Sequence, residues 1–299
     1  MRCSVLRGIP PRMPVLCLVP LTVWGMAISP LSLASVAIHP VLSDSALSAP
    51  SSSPSLPATL QGTTVVLDPG HNGANASHPV EVNRQVPNGR GGTKACDTTG
   101  TSTDSGYPEH AFNWEVARRV RDALTAHGVR VVLTRPNDAG VGPCVNDRAS
   151  IANRAGAEAI ISIHADGAPP SGHGFHVSYS DPPLNHSQGK PSASLAQALA
   201  KAFRRGGFTA AGYIGSNGLY PRSDLAGLNL AQIPAALVEC ANMRNPQDAA
   251  LASTPQGRAR YAANIADGIM TWLASRQPPH RPSVPPTHQA DLDSFFTTT

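Results

Sequence analysis

Charge is scarce in this 299-residue chain. Asp, Glu, Lys and Arg make up 14% of it against 41% hydrophobic residues, which excludes the highly charged, core-poor class that stays unfolded. Basic residues nowhere cluster with interleaved aromatics, so nothing argues for nucleic-acid binding. Internal repeats are absent, which excludes solenoids and propellers. Cysteine is sparse too, with five in the whole chain. The net charge of +4 is small: it either keeps the protein near an anionic polymer or is a mildly basic surface without a role.

What is present begins with an export signature. Arg2, Arg7 and Arg12 precede an uncharged stretch from Met13 to Ala37, and Ser35-Val36-Ala37 offers the small residues that a signal peptidase reads. Residues 1–37 therefore read as a cleaved signal. The alternative is a retained anchor, since the run is long enough to span a membrane, but Pro14, Pro20 and Pro30 weigh against it. Either way the rest of the chain lies outside the cytoplasm, secreted to a periplasm or cell wall, with no stable membrane span once the signal is gone. Residues 38–61, rich in Ser, Pro and Ala, form a linker, and the proline-rich stretch 276–299 is a disordered tail. One catalytic domain, 62–275, remains.

Cys3 and Cys17 fall in the signal, leaving Cys96, Cys144 and Cys240 in an oxidising compartment. One pair and one leftover is the simplest count. Cys96 and Cys144 both sit in Gly-, Asp- and Asn-rich connections, whereas Cys240 follows an apolar run and is expected to be packed and inert, so the first two are paired.

Strand and helix signals alternate through the domain, the mark of an α/β fold. Apolar runs at Thr63–Leu67, Val129–Thr134, Ala159–Ile163, Phe175–Tyr179 and Ala235–Val238 read as strands. Helices are expected from Pro108 to near Gly128, from a cap at Asn146, over Ser194–Phe203, and from Pro255 onward, where Tyr261, Ile265, Ile269 and Trp272 form a core stripe. The connection Asn72–Gly106 is too long to be idle, and the disulfide would tie it down.

Several of these runs end in a residue suited to metal chemistry. The first leads into Asp68-Pro69-Gly70-His71, the third into His164 and the last into Glu239. In an open α/β sheet the carboxyl ends of parallel strands face one crevice, so these residues should meet. Gly70 is expected to permit the unusual backbone angle that projects His71. Glu109, in the first turn of a helix, either offsets the helix dipole or completes a two-histidine, one-carboxylate set that suits zinc and leaves a position open for water. Glu239 then serves as general base, and its structural alternative is a strand-end carboxylate paired with Arg222 or Arg244. Asp68, Asn153, Asp166 and Arg222 are candidates for orienting the ligands or touching substrate. His173 and His176 should point to opposite faces of a strand, and His110 turns away from Glu109 around the helix, so none of them joins the set.

With these motifs in order, the chain resembles the zinc-dependent N-acetylmuramoyl-L-alanine amidases, type 3. Val66-Leu67-Asp68-Pro69-Gly70-His71 is similar to that family's first metal motif, and Glu109 to its helix-borne glutamate. Arg148 with Ala152-Asn153 and Ile161 to Asp166 resembles its second histidine motif. Pro234 to Glu239 with Asn245 resembles its catalytic segment. The likeness runs from Val65 to about Trp272. It implies a mixed six-stranded sheet flanked by helices on both faces, and one zinc held by His71, Glu109 and His164 with Glu239 as base. The implied substrate is peptidoglycan, cut between muramic acid and L-alanine during wall remodelling and daughter-cell separation.

Three departures stand out from the family pattern: Cys240 after the catalytic glutamate, the long polar loop Asn72–Gly106, which either walls the groove or narrows it, and a short connection between Tyr179 and Ser194 with no room for a blocking helix. The protein is expected to be a monomer. The competing readings are a zinc peptidase or amidase of soluble muropeptides and a non-catalytic wall-binding protein.

Overall fold

The apolar runs that end in His71, His164 and Glu239 lie side by side at the centre of one sheet. The computed structural model describes residues 60–276. The expected signal over 1–37, nearly all of the linker and the tail beyond Arg276 lie outside the described residues. In chain order the elements are β1 (Thr64–Pro69), α1 (Pro79–Val82), β2 (Gln85–Pro87), β3 (Thr93–Ala95), α2 (Glu109–Ala126), β4 (Arg130–Leu133), α3 (Val145–Arg154), β5 (Ala159–Asp166), β6 (His176–Ser180), α4 (Lys190–Arg205), β7 (Leu219–Arg222), α5 (Ala226–Asn229), β8 (Ala235–Asn242), α6 (Pro246–Ala252) and α7 (Pro255–Arg276).

The main sheet has six strands in the order β4-β1-β5-β8-β6-β7. β4, β1, β5 and β8 run parallel, while β6 pairs antiparallel with β8 and parallel with β7. The mixed sheet and α/β class are those the resemblance implies. Because β1, β5 and β8 are buried on both faces, they read as nearly continuous apolar runs.

Each face of the sheet has its own helices. One face packs Leu67, Ile161, Ile163 and Val238 against α2, α4 and α7, with Phe112, Val116 and Val120 from the first, Leu195, Leu199 and Phe203 from the second, and Tyr261, Ile265 and Ile269 from the third. The expected core stripe of the last helix therefore lies in the core. The other face is covered less completely: Val66, Ile160 and Leu237 meet Ala152 of α3 and Leu228 of α5. Its carboxyl half stays open for a site. No helix among the described residues is long and apolar enough to cross a membrane.

Some local expectations shift. Asn146 does not cap α3, because the cap lies two residues earlier at Cys144, whose O accepts from Arg148 N at 3.0 Å, and the Asn146 amide turns to Asp147. The loop Asn72–Gly106 carries its own structure, a hairpin of β2 and β3. Strand β7 holds Pro221 and lies at the sheet edge, where a missing donor costs least. Cys96 and Cys144 are joined in a disulfide, and Cys240 is buried and free.

Candidate active site

The backbone turns sharply where β1 ends. His71 has φ 59°, a left-handed conformation uncommon for a residue with a side chain. The unusual angle thus falls on His71 itself, not on Gly70. Glycine is required at 70 for space: an added Cβ would lie 2.0 Å from Cε1 of His164. The two imidazoles consequently sit close, with centroids 4.9 Å apart and planes at 89°.

Glu109 opens α2 and comes between them. Its Oε2 lies 3.2 Å from His71 Nε2, and its Oε1 lies 2.9 Å from His164 Nδ1. Backbone amides hold the carboxylate in place, with Thr101 N donating at 2.9 Å and Ala165 N at 3.2 Å. Asn113, one turn along the helix, donates to Oε1 at 3.3 Å. One donor atom from each of His71, Glu109 and His164 lies within 4.8 Å of the others, the only such group among the described residues. Side-chain exposures of 11%, 6% and 17% leave this cluster reachable from one side.

Electrostatics tie the cluster together. Burial pulls His71 down, but the charge of Glu109 and hydrogen bonds to Asp97 and Glu109 outweigh it and raise it from 6.5 to about 10. Against its own burial, Glu109 is held well below the carboxylate range by His71 and by bonds from both imidazoles. A cation in this position is therefore strongly favoured, whether a proton or a metal supplies the charge.

Behind His71 runs a buried ion chain. His71 Nδ1 lies 3.2 Å from Asp97 Oδ1 and 3.0 Å from the carbonyl of Thr98. Arg148 donates to Asp97 Oδ2 at 3.1 Å and to Asp68 Oδ1 at 2.8 Å, and also to the carbonyls of Pro69 and His71. Asp68, accepting from Ser162, Thr134 and Arg148, is held down to about 2 although burial works the other way. Asp68 thus supports the turn through Arg148 and does not touch the imidazoles. Asp97 was not singled out from the sequence. One signal pointed to it: Asp97 follows Cys96, and Cys144 stands four residues before Arg148, so the expected disulfide brings the carboxylate to the guanidinium.

Glu239 pairs in register with His164 on the neighbouring strand and projects from the same face. Its Oε2 is buried without any hydrogen-bond partner. Burial first, then the charges of Glu109 and Asp166, push its carboxyl well above the usual range. The arginines that would neutralise it are engaged elsewhere: Arg222 pairs with Asp224, and Arg244 lies 3.1 Å from Asp104. Arg222 also stacks 5.2 Å over Tyr220, at the sheet edge.

The remaining candidates divide. Asp166 accepts from the Tyr213 hydroxyl at 2.9 Å and lines the cavity. Asn153 does not serve the ligands, for its amide donates to Leu230 O at 3.0 Å and its oxygen accepts from Gln232 N at 2.8 Å, fastening α3 to the end of α5. His176 lies across the strand pair from Glu239, and burial lowers it to about 4, so it is neutral and outside the metal-capable group. His110 turns to Asp138 at 2.8 Å. Burial raises the Cys240 thiol well above its ordinary value, which leaves it unreactive.

A cavity of about 370 Å³ opens beside the cluster. His71, Glu109, His164 and Glu239 line it together with Ser162 and Leu237 of the sheet, Lys94 and Ala95 of the hairpin, and Leu225 to Leu228. No residue between Tyr179 and Ser194 lines it, so that connection leaves the cluster uncovered. The long loop forms a wall.

Comparisons with known proteins agree with this geometry. Residues 65–271 match the family model described as N-acetylmuramoyl-L-alanine amidase. An N-acetylmuramoyl-L-alanine amidase of Mycobacterium tuberculosis is 53% identical over 226 residues, covering 76% of this chain and 92% of that protein. The crystal structure of the N-acetylmuramyl-L-alanine amidase Ami1 from Mycobacterium smegmatis is 55% identical with a TM-score of 0.71, covering 73% of this chain and 100% of that one. The apo form of Ami1 from Mycobacterium abscessus is 53% identical with a TM-score of 0.69, covering 72% and 100%.

Proposed function

We infer the activity from one premise: the chain belongs to the N-acetylmuramoyl-L-alanine amidase family. It is a peptidoglycan hydrolase that cuts the amide between the lactyl group of muramic acid and the first L-alanine of the stem peptide. Residues 1–37 direct it out of the cytoplasm, and it acts as a secreted monomer on the wall during remodelling and cell separation.

The donor set fits zinc. Two imidazoles and a carboxylate converge, and the far nitrogen of His71 is occupied by Asp97 and a carbonyl, the support that metal-binding histidines generally have. His71, Glu109 and His164 would hold the ion. When bound, zinc supplies Lewis acidity toward the scissile carbonyl and toward water.

The chain's own groups do the rest. Glu239 accepts the proton of the attacking water as the new carbon–oxygen bond forms, and returns it to the nitrogen as the carbon–nitrogen bond breaks. Burial raises the Glu239 carboxyl above the usual range, which makes it a stronger base toward water than an ordinary carboxylate. Asp97 and Thr98 keep the Nε2 of His71 facing the cluster, and the amides on Glu109 fix its orientation.

The observation that carries this reading is the unpartnered Oε2 of Glu239 beside a converging donor set. Replacing Glu239 with Gln should leave one zinc per chain and lower the release of new L-alanine amino termini from purified sacculi by about 10²–10⁴-fold. Undiminished release with zinc in place would remove Glu239 from the reaction.

A further inference from the structure

One cation in the cavity wall has no carboxylate partner among the described residues. Arg148 is committed to Asp68 and Asp97, and the imidazoles belong to the metal-capable cluster. Lys94 alone is left. Its Nζ donates only to the backbone carbonyl of Asp224 at 3.3 Å, while the Asp224 carboxylate is gripped by both Nε and Nη2 of Arg222.

Lys94 is also fixed in position, because its hairpin is pinned at both ends. At the base, Cys96 is bonded to Cys144. At the tip, Arg90 donates to Asn229 Oδ1 at 3.2 Å, Ser180 Oγ at 3.1 Å and Pro182 O at 2.5 Å. Asn229 donates back to Asn88 O at 3.0 Å, and the contact is so close that a Cβ on Gly89 would lie 2.7 Å from Asn229 Cβ. The hairpin is therefore held against α5 and the end of β6, and its Lys94 and Ala95 line the cavity together with Leu225 to Leu228 and the metal-capable cluster.

Charge decides which half of the substrate suits this wall. Once its lactyl group is amidated, a muramoyl unit carries no free carboxylate, whereas the stem peptide ends in one, and Lys94 is the cation in the wall without a carboxylate partner among the described residues. At about 370 Å³ the cavity is near the lower bound of pockets that enclose a small ligand. Its walls of Ala95, Val145, Leu225 and Leu228 suit short apolar side chains, with one ammonium group among them. We propose that the stem peptide enters under the hairpin and that Lys94 binds a free carboxylate on it, so the enzyme distinguishes acidic stems from amidated ones. The assignment rests on the amidase reading above.

The same chemistry could come from the α-carboxylate of an acidic second stem residue or from the peptide's terminal carboxylate, and amidating them one at a time separates the two. The probes are the product dipeptide and tripeptide, each free and singly amidated, titrated calorimetrically into the zinc-loaded protein. One free acid should bind about tenfold more tightly than its amide, the value of a charge-assisted hydrogen bond. Lys94→Met should bring that ratio near one, and Lys94→Arg should keep it. With muropeptide substrates the same ratio should appear in KM and not in kcat. Equal binding of acids and amides by the unaltered protein, or a ratio that survives Lys94→Met, overturns the role of Lys94. Carboxylate-dependent binding without any hydrolysis would instead defeat the amidase reading and leave Lys94 standing.

Discussion

His71 illustrates how much of a proposed metal ligand's behaviour is set by residues outside the metal-capable cluster. Its left-handed backbone, its contact with Asp97 and the carbonyl above it leave one nitrogen facing Glu109. Asp97 is in turn held by Arg148, itself buried against Asp68. Asp97→Asn keeps the shape but removes the charge that, after that of Glu109, raises His71, so zinc affinity should fall about 10–100-fold in competition with a chelator. An unchanged affinity would show that Asp97 serves only the turn. His71, Glu109, His164 and Glu239 were legible in the sequence because each closes an apolar run or opens an amphipathic helix. Lys94, in the three-residue strand β3, and Asp97 just after it lie in a connection with no periodicity, where only the neighbouring Cys96 hinted at Asp97.

Among the elements, the contact between α4 and α7 shows packing deciding against propensity. Gly268 lies mid-helix, where alanine is intrinsically favoured by about 1 kcal/mol. An added Cβ there would come within 2.9 Å of the Leu199 Cα, a backbone atom that moves only with its helix. Overpacking costs about 1–3 kcal/mol, so Gly268→Ala should lower stability in urea by up to about 2 kcal/mol despite the better helix former. A gain in stability would mean the helices separate freely. The long helices α2, α4 and α7 were readable from their apolar stripes. Strand β7, interrupted by Pro221, and the short strands β2 and β3 were not, because runs of three or four residues carry too little pattern to separate from loop.

For the molecule as a whole, one covalent link joins the long loop to the body of the fold. Cys96 and Cys144 are 48 residues apart in sequence, and closing a loop of that size restricts the unfolded chain by about 4 kcal/mol. Replacing both with Ala should lower stability by that order in a denaturant titration. It should also weaken zinc retention, because Asp97 follows Cys96 directly. Loss of stability without any change in zinc would separate the staple from the site.

The sequence by itself determined the α/β class, the core stripes, the pairing of Cys96 with Cys144 and the residues that end the central strands. Those properties are carried by near neighbours in the chain and by the single crevice that parallel strands share. Only tertiary structure decided that Asn153 braces α3 instead of the metal-capable cluster, that Arg222 turns to Asp224, and that a pinned hairpin brings Lys94 to the cavity wall. Each of these depends on contacts between segments remote in sequence, whose partners are chosen by packing and hydrogen-bond satisfaction and leave no periodic trace.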